Sequence, residues 1–472
     1  MLSMHRCRWM GSPWRVGAYT RPHRAFTGGR TLDSKLRAQL LEIGRAGLAA
    51  VDPAAAVTAI VHADAEALHV GDAALPWAEI DRVLVVGAGK ASARMAAALE
   101  AQLGDRVSGG LVIVKDGHEA PTATVEIVEA SHPYPDERGE RAAGRLLALA
   151  REAGPRDVLL CCISGGGSCL TPAVAPGVSL EALQQLTDQL LRSGATINAI
   201  NAVRKHLSVI HGGRLAAAAH PARVVALILS DVVDNPLDVI ASGPTVPDPT
   251  TYADALRALR DHGLRETAPA PIREHLQRGA AGAEEESPKP GDPRLADVRN
   301  VIIADNALAA EAAVQAARER GFDALHVTSA VEGEAREFAL TLAGTARDIA
   351  RHGRPVERPG CVVFGGETTV TVRGAGTGGR NQEMALAAAI ALEGTTGAAV
   401  MALATDGTDG PTSAAGGLVN GATVARARAA GIDASRALDD NDSHAFLSAA
   451  GDLIETGPTH TNVNDLYVAV GW

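Results

Sequence analysis

Short apolar runs alternate along the first half of the chain with longer stretches of helical pattern. Five of these runs have the length and continuity of buried parallel strands: residues 82–86, 111–114, 125–128, 158–163 and 223–229. The helical stretches around them are residues 34–50, 92–103, 139–153, 179–193 and 196–211. This alternation predicts a doubly wound, Rossmann-like parallel sheet.

The stretch 196–211 is the most regular of these helices. It carries Ile197, Ile200 and Val203 on one face, and Asn201 and Lys205 on the other. An amphipathic pattern of this kind predicts that the apolar face is buried and that the polar face is not.

A polar segment rich in proline, glycine and acidic residues, 279–299, divides the chain. Such a composition predicts a linker rather than a core element. Apolar runs and helical stretches resume beyond it, at 301–303, 306–320, 323–328, 361–364, 381–394 and 398–404. We therefore expect two α/β domains, an N-terminal Rossmann-like one over 33–278 and a mixed one over 300–472.

The first 32 residues differ from the rest of the chain. They contain six arginines and no acidic residue, and Asp33 is the first carboxylate. An arginine-rich start without acids is typical of an organelle transit peptide, but glycines and prolines interrupt an amphipathic helix here. We interpret residues 1–32 as a disordered leader or as a mis-assigned start.

Composition narrows the classes of partner. The formal net charge of −11 at pH 7 disfavours nucleic acid, because a phosphate backbone would be repelled. No membrane helix is predicted, since no stretch of about 18 apolar residues lacks a charge or a turn signal. None of the five cysteines forms a C-x-x-C pair, which fits a cytoplasmic protein. A phosphorylated small molecule can still bind through a few local cations.

The loop GAGKAS at 87–92 follows a strand and opens a helix, where an anion would meet backbone N–H groups. Gly87 and Gly89 are therefore candidate nucleotide contacts. Lys90 stands at the positive end of the helix, which is unfavourable for a cation unless an anion binds. The third glycine of a dinucleotide fingerprint is missing, and Ala91 stands where a P-loop needs Ser or Thr. A tight turn with an exposed lysine is the alternative.

The loop ISGGGS at 163–168 follows a wholly apolar strand. Its glycines let the backbone approach a ligand closely, and two hydroxyl groups flank them. We predict binding roles for Ser164, Gly165, Gly166, Gly167 and Ser168. The pattern is not the G-x-S-x-G of a hydrolase nucleophile, and a flexible turn is the alternative.

A third loop, GGRNQE at 378–383, places Arg380 just before a predicted helix. A guanidinium in this position can hold a carboxylate or a phosphate through two parallel hydrogen bonds. The alternative is a surface arginine in a loose loop.

Four carboxylates follow predicted strands. Asp406 and Asp409, with Glu367, could ligate Mg²⁺ through oxygen, but acidic Asx turns have the same sequence without a metal. Asp231 could be a base, a magnesium contact or a ribose contact. The histidines show no zinc-ligand spacing.

Taken together, these segments resemble the class II glycerate kinases, the glycerate 2-kinase family with a C-terminal MOFRL-type domain. The resemblance extends from about residue 36 to 472. Its motifs, in order, are GAGKASA (87–93), SHPYPDERG (131–139), ISGGGS (163–168), LRSGATINAINAVRKHLS (191–208), IASGPTVPDPTTY (240–252), GGETTVTV (365–372), GGRNQE (378–383), ATDGTDGP (404–411) and TNVNDL (461–466).

The resemblance implies two α/β domains that bind ATP and glycerate in the cleft between them, with Mg²⁺ as cofactor and 2-phosphoglycerate as product. By position, Lys90 and Arg380 match the active-site lysine and arginine of the family. Phosphoryl transfer needs positioning and charge neutralisation, so Lys205 is a candidate third cation. Asn462, in TNVNDL, is a candidate binding residue. The choice between a monomer and a homodimer stays open.

Two local departures from the family pattern stand out. Val-Val-Asp-Asn follows Asp231 where the family usually has a proline-glycine turn, and His460 replaces a usual glycine. They leave the backbone geometry at both places open.

Two other function classes compete with the kinase. An NAD(P)H-dependent hydroxypyruvate reductase would explain a G-x-G after a strand, but the third glycine and a clear catalytic His–acid pair are missing. A non-catalytic nucleotide sensor would keep the loops without needing both Lys90 and Arg380.

Overall fold

The computed structural model describes residues 32–472. The leader predicted for residues 1–32 lies outside the described residues, apart from Leu32. Up to residue 304 the helices are α1 (Ser34–Ala50), α2 (Pro53–Ile60), α3 (Ser92–Leu103), α4 (Glu137–Arg151), α5 (Gly167–Leu170), α6 (Leu180–Arg192), α7 (Ile197–His206), α8 (Arg214–Ala219), α9 (Tyr252–Asp261) and α10 (Ala270–Ala280). The strands are β1 (Val61–Ala63), β2 (Ala67–Val70), β3 (Ala73–Pro76), β4 (Arg82–Ala88), β5 (Val107–Lys115), β6 (Glu126–Ala130), β7 (Asp157–Ile163), β8 (Arg223–Leu229) and β9 (Val298–Ala304).

Six parallel strands form the first sheet, in the order β6-β5-β4-β7-β8-β9. Numbered along the chain this order is 3-2-1-4-5-6, which is that of doubly wound dinucleotide-type folds. Alternate residues of β4 enter different cores: Val83 and Val85 on one face, and Leu84 and Val86 on the other. The predicted doubly wound parallel sheet is confirmed. We call this sheet and its covering helices the first lobe.

The remaining elements build a second sheet. The helices are α11 (Asn306–Glu319), α12 (Ala335–His352), α13 (Arg380–Leu392), α14 (Thr423–Ala429), α15 (Ala434–Asp439) and α16 (Ser443–Ala450). The strands are β10 (Asp323–Val331), β11 (Gly360–Gly366), β12 (Ala398–Ala404), β13 (Gly416–Asn420), β14 (Leu453–Ile454) and β15 (Asp465–Gly471). Their order is β10-β11-β15-β12-β13-β14, and only β10 and β11 are parallel. The predicted mixed α/β unit is confirmed, and we call it the second lobe.

The chain does not pass from one lobe to the other where its composition predicted. Strand β9 pairs with β8 in the first sheet, so the expectation that 301–303 opens the second unit is wrong. Helix α1, predicted within the N-terminal domain, packs against the second lobe, where a Cβ at Gly44 would lie 3.1 Å from Leu403 and Arg37 donates to Asp452 at 3.1 Å. Apolar periodicity predicts an element but not the sheet that it joins.

The segment 279–299 is not a solvated linker either. Ser287 is buried and donates its hydroxyl to Asp248 at 2.9 Å. Glu286 Oε1 lies 2.8 Å from His206 Nε2, and Lys289 donates to a backbone carbonyl at Thr250. The polar side chains of this segment therefore serve as partners for buried polar groups of the first lobe.

Within residues 32–472, no single helix is long and apolar enough to cross a bilayer; α1 and α2 meet the criterion only together, across a 52° bend. Leu36, Leu40 and Ile43 of α1 and Val57 of α2 belong to the main hydrophobic core.

Candidate active site

A cleft of about 1020 Å³ lies between the two lobes. Its lining includes Gly166, Ser168 and Asp231 from the first lobe, and Glu367 and Arg380 from the second. In open parallel sheets, ligands bind beyond the carboxyl ends of the strands, at the point where the strand order reverses. That point lies between β4 and β7, the two strands that lead into GAGKAS and ISGGGS.

The GAGKAS and ISGGGS loops bind each other. Lys90 N donates to the Gly165 carbonyl at 2.9 Å. The buried Ser164 Oγ accepts from Ala91 N at 3.0 Å and lies 3.1 Å from Ser92 Oγ. The Ser164 hydroxyl therefore closes the start of helix α3. The prediction that Ser164 binds a ligand is corrected to a structural role.

Gly87 and Gly89 face neighbouring chain rather than the cleft. A Cβ at Gly87 would lie 2.1 Å from the Cys162 carbonyl oxygen, and one at Gly89 would lie 2.1 Å from Ser164 Oγ. The Gly89 N–H is also taken, by the Ile113 carbonyl at 3.1 Å. The packing of β4 against β7 thus explains both glycines, and their predicted nucleotide contacts are corrected.

Of the remaining ISGGGS residues, only Gly166 and Ser168 line the cleft. Gly165 makes room for Asp231, because a Cβ there would lie 1.9 Å from the Asp231 carboxylate. Gly167 is covered by Ala241, at 2.8 Å from such a Cβ. The loop therefore offers the cleft one left-handed glycine, Gly166 at φ +85°, and one hydroxyl group.

The charged residues of the cleft act on one another across the two lobes. Arg380 Nη1 lies 2.9 Å from Glu367 Oε1. Burial raises the pKa of Asp231, and the Lys90 ammonium opposes that rise. Burial also raises the pKa of Glu367, against the effect of Arg380 and, more weakly, of Lys90, whereas Asp231 adds to the rise. The two predicted catalytic cations therefore act on the same carboxylate, although they come from different lobes.

Lys90 is half-buried beside Gly166, where a Cβ would lie 3.6 Å from Lys90 Cγ. Among the ion pairs of residues 32–472, none includes its ammonium group. His132 lies against the same glycine, at 3.1 Å from that Cβ position. Burial, and then the charges of Lys90 and Lys115, lower the pKa of His132 to about 4. The imidazole is therefore neutral near pH 7 and leaves the lysine free for an anion.

Asp231 and Asn462, both predicted from the sequence, meet across the cleft. Asn462 Nδ2 donates to Asp231 Oδ2 at 3.4 Å. The nearby turns use left-handed residues, with φ of 62° at Asp234, 53° at Asn235 and 61° at His460. Asp and Asn tolerate this conformation, so the Val-Val-Asp-Asn turn needs no glycine, and a positive φ at His460 explains why glycine is usual there.

A buried acid that the sequence analysis did not single out holds Arg380. Arg380 Nε and Nη2 donate to Asp465 at 2.5 and 3.1 Å, and Asn381 and Tyr467 donate to the same carboxylate at 2.9 and 3.0 Å. Burial raises the pKa of Asp465, and Arg380 opposes the rise. The bidentate pair fixes the plane of the guanidinium. The sequence did contain a signal for this residue, since Asp465 is an acid within TNVNDL that directly precedes the apolar run 466–470.

The predicted magnesium ligands differ in what they contact. The buried Asp409 accepts from the backbone N–H groups of Asn381 at 3.1 Å and Gln382 at 2.8 Å, so it caps helix α13. Asp409 also lines the cleft, but both of its carboxylate oxygens accept from these N–H groups, so its predicted metal role is corrected to that of a cap. Asp406 lines the same cleft and forms an Asx turn, in which only Oδ1 accepts, from Thr408 N at 3.0 Å. No group of three metal-ligating side chains occurs in the described part of the chain.

Lys205 does not reach the cleft. It is 1% exposed, and its Nζ lies 3.0 Å from Asp238 and 3.4 Å from Asp248. Ile197, at the start of the same helix and part of its predicted apolar face, is 53% exposed. The predicted binding role of Lys205 is wrong because the polar face of α7 is buried against carboxylates. A polar helix face in the sequence can be exposed to solvent or buried in ion pairs, and the pattern of polar residues does not distinguish the two.

The chain is similar to known proteins over most of its length. DUF4147, a domain of unknown function, matches residues 39–277, and the MOFRL family matches residues 360–465. A D-glycerate 2-kinase of Thermotoga maritima is 45% identical over 397 residues, which cover 84% of this chain and 92% of that protein. A protein of Agrobacterium vitis provisionally named hydroxypyruvate reductase is 44% identical over 394 residues, covering 83% and 88%.

A solved structure is also similar over almost the whole chain. The crystal structure of a glycerate kinase from Thermotoga maritima matches with a TM-score of 0.83 at 40% identity, covering 93% of this chain and all of that one. The chain therefore belongs to the glycerate 2-kinase family, with a C-terminal MOFRL domain.

Proposed function

We propose that this protein transfers the γ-phosphoryl group of ATP to the C2 hydroxyl of D-glycerate, with Mg²⁺, giving 2-phosphoglycerate and ADP. The observation that carries the proposal is that two cations from different lobes meet at one cleft: Arg380 lines it, and Lys90 lies beside Gly166 of its lining. Preorganised cations of this kind stabilise the charge that spreads over a transferring phosphoryl group. The names of the similar kinases support the same reaction.

Lys90 and Arg380 have different roles in this proposal. Lys90 has no carboxylate partner among the described residues, so its ammonium is available to a phosphate oxygen. Arg380 is oriented from behind by Asp465, and its remaining ion pair is with the partly exposed Glu367. A phosphate group that takes the place of Glu367 would bind a guanidinium that is already oriented, because the ion pair between Arg380 and Asp465 would remain.

Asp231 is the group that we assign to the proton of the substrate hydroxyl. It lines the cleft, and its carboxylate is held by Asn462 and acted on by the charge of Lys90. Burial raises its pKa, which makes it a better proton acceptor than an exposed aspartate. Protein kinases likewise use an aspartate beside the substrate hydroxyl.

The cleft residues fit a magnesium ion bound mainly through substrate. Mg²⁺ commonly takes one or two carboxylates together with phosphate oxygens and water. Asp406 lines the cleft and keeps Oδ2 outside its Asx turn, and Glu367 lines the same cleft. When bound, the ion would neutralise phosphate charge; Asp406 and Glu367 would hold it.

The roles of Asp406 and Asp409 can be separated by experiment. We expect Asp406→Asn to raise the Mg²⁺ concentration for half-maximal rate by about tenfold, because one ligand charge is lost. Asp409→Asn should instead lower the free energy of unfolding by about 1–2 kcal/mol, through weaker capping of α13, with little effect on the Mg²⁺ titration. A magnesium requirement that shifts equally in both variants would show that Asp409 also ligates the metal.

A nicotinamide-dependent reductase fits the residues less well. In a dinucleotide fold the pyrophosphate meets free N–H groups at the first helix start. Here the Ser164 hydroxyl occupies the Ala91 N–H, and the glycines of the G-x-G face strand β7 and its loop.

A coupled assay tests the proposed reaction. The purified protein should release ADP only when ATP, Mg²⁺ and D-glycerate are all present. With NADH and hydroxypyruvate it should show no oxidation of NADH. Oxidation of NADH without any release of ADP would falsify the kinase proposal. A cytoplasmic location stays a prediction from the sequence, and the described cysteines, Cys161, Cys162, Cys169 and Cys361, are free thiols.

A further inference from the structure

A second, much smaller cavity of about 30 Å³ adjoins the cleft at Ser168, which lines both. Its walls include Pro133, Cys169, Arg204 and His211. A buried water needs about 10–15 Å³ measured in this way, so the cavity has room for two or three waters or for one carboxylate group. A nucleotide does not fit.

Arg204 brings a positive charge to this cavity without a matching anion. Among the described residues, its side chain donates to Asn201 Oδ1 at 3.3 Å and takes part in no ion pair with a carboxylate. Burial lowers the pKa of its guanidinium, which is the effect of a charge removed from water without compensation. A planar guanidinium in this position is suited to a planar, bidentate acceptor.

His211 adds an unsatisfied acceptor to the same cavity. It is 2% exposed, and its Nε2 lies 3.0 Å from Thr171 Oγ1. The Thr171 hydroxyl is already donated to the Gly167 carbonyl at 2.8 Å, so His211 Nε2 is the donor. Nδ1 is then a proton-free acceptor, and it has no partner. Burial, and then the charges of Arg204 and Lys205, lower the pKa of His211 to about 3, which keeps it neutral.

We propose that this cavity is the carboxylate subsite of the enzyme: Arg204 binds the carboxylate of the hydroxy-acid substrate, and His211 Nδ1 accepts a hydrogen bond from its hydroxyl that is not phosphorylated. Ser168, at the opening towards the cleft, would then face the hydroxyl that receives the phosphoryl group. The inference rests on the proposed function. It assigns the recognition of glycerate to α7, the turn that follows α7 and the ISGGGS loop, rather than to Lys90 or Arg380.

The test compares Arg204→Met and Arg204→Lys with the wild-type enzyme. Loss of a charge-assisted bidentate contact should raise the KM for D-glycerate by about 10²-fold in Arg204→Met, with the KM for ATP nearly unchanged. Arg204→Lys keeps the positive charge but loses the bidentate geometry of the guanidinium, so it should raise the KM for D-glycerate by about tenfold. The matched control is Arg192→Met on the preceding helix α6, where the arginine side chain is 80% exposed, and it should leave both constants unchanged.

The possible outcomes separate this inference from the proposed function. If the wild-type enzyme releases no ADP with D-glycerate, the proposed function fails. If the wild type is active and Arg204→Met keeps its KM for glycerate within about twofold, the carboxylate subsite is excluded. If Arg204→Met does not fold, Arg204→Lys decides, and an unchanged KM for glycerate in that variant excludes the subsite. A second readout is the rise in melting temperature on addition of D-glycerate without nucleotide, which Arg204→Met should lose.

Discussion

Lys90→Ala and Arg380→Ala should each lower kcat by about 10²-fold or more, since cations supplied to a transferring phosphoryl group contribute about 10³–10⁵ in well-studied cases. The two residues come from different lobes: Arg380 lines the cleft, and Lys90 lies beside Gly166 of its lining. A cation that acts mainly in the transition state affects kcat when it is lost, whereas a cation that only binds substrate affects KM. Steady-state kinetics with ATP and D-glycerate measure both constants.

The two variants should differ in stability. Lys90 forms no ion pair within the described residues, so its replacement should leave the melting temperature unchanged. Arg380→Ala removes the cation from the buried Asp465, and we expect a lower melting temperature as well. Lys115→Ala, at the end of the neighbouring strand β5, is the control and should retain nearly full kcat, because Lys90 and not Lys115 lies against Gly166 of the cleft lining. Near-normal kcat in both Lys90→Ala and Arg380→Ala would remove this site from consideration.

Lys205→Met should reduce the free energy of unfolding by about 3–5 kcal/mol, because it leaves the carboxylates of a buried ion pair without their cation. Lys205 lies between Asp238 and Asp248, and Asp248 is fully buried. Burial disfavours the ionised form of Asp248, but Lys205 and hydrogen bonds from Thr250 outweigh it and hold its pKa below the usual value. This stabilisation is present at neutral pH and is lost as the pH falls through the carboxyl range.

Chemical unfolding with urea measures this loss. Lys35→Met, on the exposed face of α1, is the control and should change stability by less than about 0.5 kcal/mol. At a temperature where Lys205→Met is folded, its KM values should be those of the wild type. A stable variant with a raised KM for glycerate would instead return Lys205 to the binding site.

The elements of the fold could largely be predicted from the sequence, because their apolar periodicity is local. Helix α1 and strands β8 and β12 begin and end where the pattern predicted. Their assembly could not be predicted in the same way. Strand β9 contains a short apolar run, as strands of both sheets do, and only its pairing with β8 places it in the first.

The residues of the site divide in the same way, into those that local sequence predicts and those whose contacts are distant in sequence. The loops that carry Lys90 and Arg380 could be found because a cation beside glycines at a helix start is a local signal. Asp465, which holds Arg380, and Arg204, the proposed carboxylate ligand, were missed because the contacts of both side chains depend on residues distant in sequence. Arg204 and Lys205 are adjacent in sequence but about 100° apart around helix α7. Arg204 therefore lines the small cavity, whereas Lys205 forms a buried ion pair with Asp248.

The most direct test of the central claim is the ³¹P NMR spectrum of the reaction mixture, recorded without proton decoupling after D-glycerate, ATP and Mg²⁺ have been incubated with the enzyme. The account predicts a new phosphomonoester signal split into a doublet, since the phosphate of 2-phosphoglycerate couples to the single proton on C2, together with the signals of ADP. A triplet from a phosphate on the C3 methylene group would contradict the proposed regiochemistry. A spectrum that shows only unchanged ATP would contradict the assignment of this cleft as a glycerate kinase site.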